Sequence, residues 1–107
     1  MNVNEALFEL KEQLINEPIV KEYFRLLSLI ENDEQLSILD KEIKIHQKLM
    51  STNMNNDEIY FKEKEIYESK LNQYNNHPLI INFNNTKDEV ASLLQQIEQI
   101  LQWFMLF

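Results

Sequence analysis

Apolar residues in this chain recur at steps of three and four almost from end to end, the period of one face of an α-helix. Val3, Leu7, Leu10 and Leu14 make a first stripe, and Ile19, Tyr23, Leu26 and Ile30 make a second. The two do not join in phase, because Leu14 to Ile19 is a step of five. Pro18 stands at the break. Proline biases the preceding residue away from helix but is tolerated in a first turn, where its missing N–H is not needed. The pattern therefore predicts a helix that ends near Asn16 and a second that restarts at a new angle, capped by Asn16 or Glu17.

Further on, Asn32 with Gln35 three residues later reads as a capping box opening a third helix. Leu36, Leu39, Ile43, His46 and Met50 continue its stripe. The polar run Ser51–Asn56, "STNMNN", lacks apolar periodicity and is expected to be a loop. Asn55 with Glu58 would cap a fourth helix carrying Tyr60, Tyr67, Leu71 and Tyr74 on one face, with Ile59 and Ile66 beside them. Pro78 opens the last segment, where Phe83, Lys87, Val90, Leu94, Ile97, Leu101 and Phe104 alternate steps of four and three, widened by Leu93 and Ile100. Thr86 with Glu89 could make another capping box, so the pattern leaves open whether this helix is continuous through Asn84–Asn85 or broken there. The expected fold is all-α, about five helices in an antiparallel bundle forming a single domain over residues 1–107.

The two prolines sit in matching surroundings, "NEPIVKEY" (Asn16–Tyr23) and "NHPLIINF" (Asn76–Phe83). Each reads Asn, any residue, Pro, two aliphatics, two more residues and an aromatic. We read both as structural corners: Asn16, Pro18 and Tyr23 at one, Asn76, Pro78 and Phe83 at the other.

Composition narrows the chemistry. Glycine is absent, so a phosphate-cradling loop or dinucleotide fingerprint of the usual form cannot exist, and hairpin turns needing positive φ are disfavoured. Asn could substitute for glycine at such positions. Cysteine is absent, which excludes disulfides, thiolate metal sites and a cysteine nucleophile. The net charge of −8 repels a phosphate backbone, and Lys41, Lys44 and Lys48 each lie close to an acid or an apolar position, so direct nucleic-acid binding is not expected. "MNVNEALFEL" has neither a basic start nor an apolar run, and no stretch approaches a membrane span, so a soluble, cytoplasmic protein is expected.

Candidate catalytic and metal residues are few. His46 lies in an apolar stripe, and His77, the other histidine, lies at a helix start with no His-x-x-x-His spacing. We read His46 as structural. Glu63, Glu65 and Glu68 interleave with Lys62, Lys64 and Lys70, the pattern of a solvated helix face. No nucleophile, metal set or phosphate loop is recognisable, so the expectation is no enzyme, no cofactor and no catalytic residue.

The order of these elements resembles a known family. A short helix, a Pro-initiated helix, "ENDEQLSILDKEIKIHQKLM", a polar loop, an acidic–basic helix and "NHPLIINFNNTKDEVASLLQQIEQIL" are together similar to the YlbF/YmcA family, including the YheA-type proteins of low-GC Gram-positive bacteria. The family's Asn-Pro-Leu-Val followed by an aromatic is matched by Asn76, Pro78, Leu79, Ile80 and Phe83, with His77 inserted between Asn and Pro. "EYFRLLSLIENDEQL" resembles the family's Tyr-containing helix and acidic break, and the likeness runs from Val3 to Leu101. The resemblance implies an elongated helical protein that dimerises through its helices. It also implies, for some members, a regulatory adaptor that acts with the YaaT protein to direct ribonuclease Y in messenger-RNA processing, and so influences competence, sporulation and biofilm formation. The iron–sulfur clusters linked to that adaptor complex are held by cysteines and are not carried over to this chain.

The last helix bears the widest apolar face, and "WFMLF" (Trp103–Phe107) adds aromatic bulk at its end. Val90, Leu93, Leu94, Ile97, Ile100, Leu101, Trp103 and Phe104 are the expected dimer or partner interface, in a homodimer or a heterodimer with a paralogue. The reading is thus a non-enzymatic adaptor with a protein partner in an RNA-processing complex. Its competitors are a generic helical chaperone or structural coiled-coil module without a regulatory partner and, against the acidic charge, a nucleic-acid-binding helical protein.

Overall fold

A computed structural model describes residues 2–105; side-chain placement is described for all of these except Phe104. The described chain is all-α: α1 (Val3–Asn16), α2 (Pro18–Glu31), α3 (Glu34–Thr52), α4 (Asp57–Asn75) and α5 (Pro78–Met105). No strand occurs among the described residues. The helical period set by the apolar stripes therefore governs the whole described chain.

The helix starts are made by short polar side chains. Asn2, Asp33 and Asn56 accept the backbone N–H of Glu5, Leu36 and Ile59 at 2.8, 2.9 and 3.3 Å, each satisfying a donor that the first turn leaves open. The third and fourth helices thus open one residue later than the capping-box patterns at Asn32 and Asn55 predict. Asp33 caps α3 through its carboxylate, while the side-chain amide of Asn32 donates back to the carbonyl of Ser28 at 2.8 Å.

The same device recurs at each of the first four corners. The side-chain amides of Asn16, Asn32, Asn53 and Asn76 donate to the carbonyls of Glu12, Ser28, Leu49 and Asn72, four residues back, at 2.7–2.8 Å. Those carbonyls belong to last turns, and those of Ser28 and Asn72 also accept the backbone N–H of Asn32 and Asn76, so the amide is a second donor to a helix end. Glycine in a left-handed conformation usually does this work. Here no described residue has positive φ, so asparagine closes the helices through its side chain and not by adopting glycine's backbone conformation. Asn16 therefore finishes α1 and does not cap α2. The carbonyl of Glu17 receives the first N–H groups of α2, from Val20 and Lys21, both at 3.1 Å. Glu17 itself is extended, at φ −64° and ψ 131°, as a residue before proline should be.

The last helix runs unbroken from Pro78 to Met105 and is thus continuous through Asn84–Asn85, where the sequence left both outcomes open. Thr86 is buried while Asn84 and Asn85 point outward, and the hydroxyl-bearing residue sits in the covered line of a helix and does not cap one. That line runs Ile80, Phe83, Thr86, Val90, Leu93 and Ile97. The loop predicted over Ser51–Asn56 shortens to its last residues, because α3 continues to Thr52.

The described chain divides into two compact units. One is Ser28–Ile81 and contains α3 and α4; the other comprises the chain up to Leu27 and from Asn82 on. In the first, α3 packs on α4. Their pairings show the sense: Asp33 faces His77, Glu42 pairs with Lys70, and His46 pairs with Glu63, so one index rises as the other falls and the helices are antiparallel. Leu36 and Leu39 are the buried residues of α3. In the second unit the rings of Tyr23 and Phe83 stack, with centroids 5.1 Å apart and planes 30° from parallel. Leu26 is buried one turn after Tyr23 on α2.

Candidate functional site

Both histidines meet a carboxylate within the α3–α4 unit. His46 Nδ1 pairs with Glu63 Oε2 across the two helices, and both side chains are largely covered. Glu63 thus leaves the solvated face on which its lysine neighbours place it, and gives the structural role of His46 a partner. Its heptad position gives the signal: Glu63 follows Tyr60 by three and precedes Tyr67 by four, so it falls on the covered stripe of α4.

At the other end of the hairpin, His77 Nε2 lies 4.0 Å from Asp33 Oδ2. The His77 ring also works at a helix start, because its Nδ1 accepts the backbone N–H of Leu79 at 3.1 Å. The carbonyl of His77 receives the N–H groups of Ile80 and Ile81. Each histidine is therefore occupied in holding helices. Among the described residues no group of three or more His, Cys, Asp or Glu side chains is placed to hold a metal ion.

The remaining ion pairs lie on the surface. Arg25 donates to Glu22 through Nε at 2.8 Å, and this hydrogen bond holds the Glu22 carboxyl below its ordinary range while raising Arg25. Lys44 donates to Asp40 at 2.8 Å and is raised by that bond. Both are local helix pairs of small energetic weight. A shallow depression in the α3–α4 unit is lined by Ile30, Glu31, Leu36, Ser37, Asp40 and Tyr74, and another by Asn2 with α1 residues including Glu5 and Phe8.

The surface carries apolar side chains in rows. On α5, Val90, Leu93 and Ile97 are partly covered, while Leu94, Ile100, Leu101 and Trp103 are exposed. The side chain of Phe104 and residues 106–107 of the terminal apolar run lie outside the described residues. On α1 nothing is buried, and Val3, Leu7, Phe8 and Ile15 are exposed. A third row was not read from the sequence: Ile38, Ile45 and Leu49 on α3 are 49%, 56% and 38% exposed. Its signal is a step of seven and a step of four running beside the buried stripe. Around the corners, Pro18 opens α2 and Pro78 opens α5. Asn16 and Asn76 close the helices before them. No described helix is long and apolar enough to cross a membrane.

A family model described as "Control of competence regulator ComK, YlbF/YmcA" matches residues 3–103. No curated protein and no solved structure matches the chain. The match spans nearly all of the described helices, and the chain belongs to the YlbF/YmcA family. That family is described by a regulatory role and not by a catalysed reaction.

Proposed function

We propose that this YlbF/YmcA-family chain is a non-enzymatic regulatory adaptor of the cytoplasm, acting through protein–protein contacts to modulate ribonuclease Y-dependent processing of messenger RNA. The observation that carries the reading is the family match over residues 3–103, on a chain whose histidines are occupied in packing and whose helices present apolar rows outward. The face formed by Val90, Leu93, Leu94, Ile97, Ile100, Leu101, Trp103 and Phe104 serves self-association, as a homodimer or with a paralogue. The net charge of −8 favours action on the RNA through a protein partner over contact with phosphate. With no cysteine the chain works without an iron–sulfur cluster of its own.

Mapping of transcript 5′ ends in a strain lacking the gene tests the reading. Transcripts whose ends depend on ribonuclease Y are expected to lose those ends, to regain them with the unaltered gene, and not with Leu94→Glu, Ile97→Glu. Unchanged ends in the deletion strain would remove the ribonuclease Y assignment.

A further inference from the structure

The exposed row on α3 is distinct from the helix face that packs on α4 and from the proposed self-association face on α5. Ile38 and Leu49, with Ile45 between them, lie eleven residue steps apart, about 16 Å along the helix axis at 1.5 Å per residue. Three turns of a second helix would span it. Its two edges differ. Glu42 follows Ile38 by four and so lies on the edge toward α4, where Lys70 neutralises it at 3.0 Å. Lys41 and Lys48 each follow a row residue by three, which puts both on the outer edge. Both are exposed, and neither joins an ion pair among the described residues. Lys44 is held by Asp40, away from the row. Glu34 shares the outer edge but sits seven residues before Lys41, about 10 Å along the axis.

In a chain of net charge −8, this is an apolar row with two lysines along one side that join no ion pair among the described residues. A second copy fits it poorly. An antiparallel pair of α3 helices would bring the lysine edges together, and a parallel pair would have to draw Glu42 away from Lys70. We infer that Ile38, Ile45 and Leu49, edged by Lys41 and Lys48, dock an amphipathic helix of a different protein that carries carboxylates along one side of its apolar stripe. This deepens the adaptor reading and rests on it for its biological setting: α5 joins copies, and α3 receives the regulated partner.

The test uses the full chain and two synthetic helical peptides with identical leucine anchors at helical spacing, differing only in glutamates or lysines along one edge. Fluorescence anisotropy at low salt is expected to show the glutamate peptide binding at least about tenfold more tightly than the lysine peptide. Added salt should narrow the gap. Lys41→Glu with Lys48→Glu should reverse the preference, and Ile45→Asp should abolish binding of both, each with circular dichroism and sedimentation unchanged. Equal binding of the two peptides, no binding of either, or a lysine double variant that keeps the original preference would overturn the inference. So would a change of oligomeric state in that variant, since it would place α3 in the contact between copies. Peptide selectivity without altered transcript ends in the deletion strain would strike the ribonuclease assignment alone; altered ends without selectivity would strike this surface alone.

Discussion

His46 and Glu63 are held together from facing helices, seventeen positions apart in the chain, with both side chains largely covered. Removing one partner leaves the other polar group in a covered place, whereas removing both leaves an apolar contact of similar shape. Glu63→Leu is therefore expected to cost about 1–3 kcal/mol, and His46→Leu combined with Glu63→Leu clearly less than the sum of the single changes. Urea unfolding of the four proteins measures this; additive losses would show that the pair is not coupled. Glu22 offers a pH test on the surface. Its carboxyl is held low by Arg25, so the stabilisation it contributes is present above the unfolded-state pKa and is lost as pH falls through the lower folded value. Carbon-13 titration should place Glu22 below the ordinary carboxylate range and return it there in Arg25→Gln. An unshifted midpoint in the unaltered protein would contradict the geometry. The sequence showed that polar residues bound the helices but not which did what. Asn16 and Asn32 lie at helix boundaries and suit both ends, and only the backbone bonds reveal that both amides serve the helix before them.

The elements themselves were legible because apolar periodicity, the strongest local signal, agrees with the absence of glycine throughout. The α2 stripe of Ile19, Tyr23, Leu26 and Ile30 and the α3 stripe of Leu36, Leu39, Ile43, His46 and Met50 are both turned inward to some degree. The continuity of α5 shows where local reading stops: Thr86-x-x-Glu89 has the letters of a capping box, but burial of Thr86 in a continuous helix overrides it. Glu63 and the outer α3 row were hidden for a related reason, since a helical pattern shows which residues share a face and not which faces find a neighbour. At the first corner, Pro18→Ala frees Glu17 from its extended conformation. Helix content should stay the same while α1 and α2 straighten toward one helix. Distances between spin labels on α1 and on the first turns of α2 would lengthen; unchanged distances would mean that packing sets the corner. In the other unit, Leu36 is 1% exposed, and Leu36→Ala should cost about 2–5 kcal/mol in chemical denaturation. A loss below that range would mean that the α3–α4 contact closes readily over the gap.

At the scale of the molecule, the buried apolar side chains among the described residues are few, namely Leu26, Leu36, Leu39 and Ile80. Apolar rows on α1, α3 and α5 remain outside. Burying one such side chain contributes roughly 1.5–3 kcal/mol, against a net stability of about 5–15 kcal/mol for a typical domain. A second copy covering the α5 row would therefore matter to folding as well as to function, and the regulatory reading depends on it. Sedimentation equilibrium of the full chain, at protein concentrations of about tens of micromolar, compared with Leu94→Glu, Ile97→Glu, is the most direct measurement. A dimer is expected for the unaltered chain and a much less stable monomer for the double variant. A compact, stable monomer in both cases would contradict it.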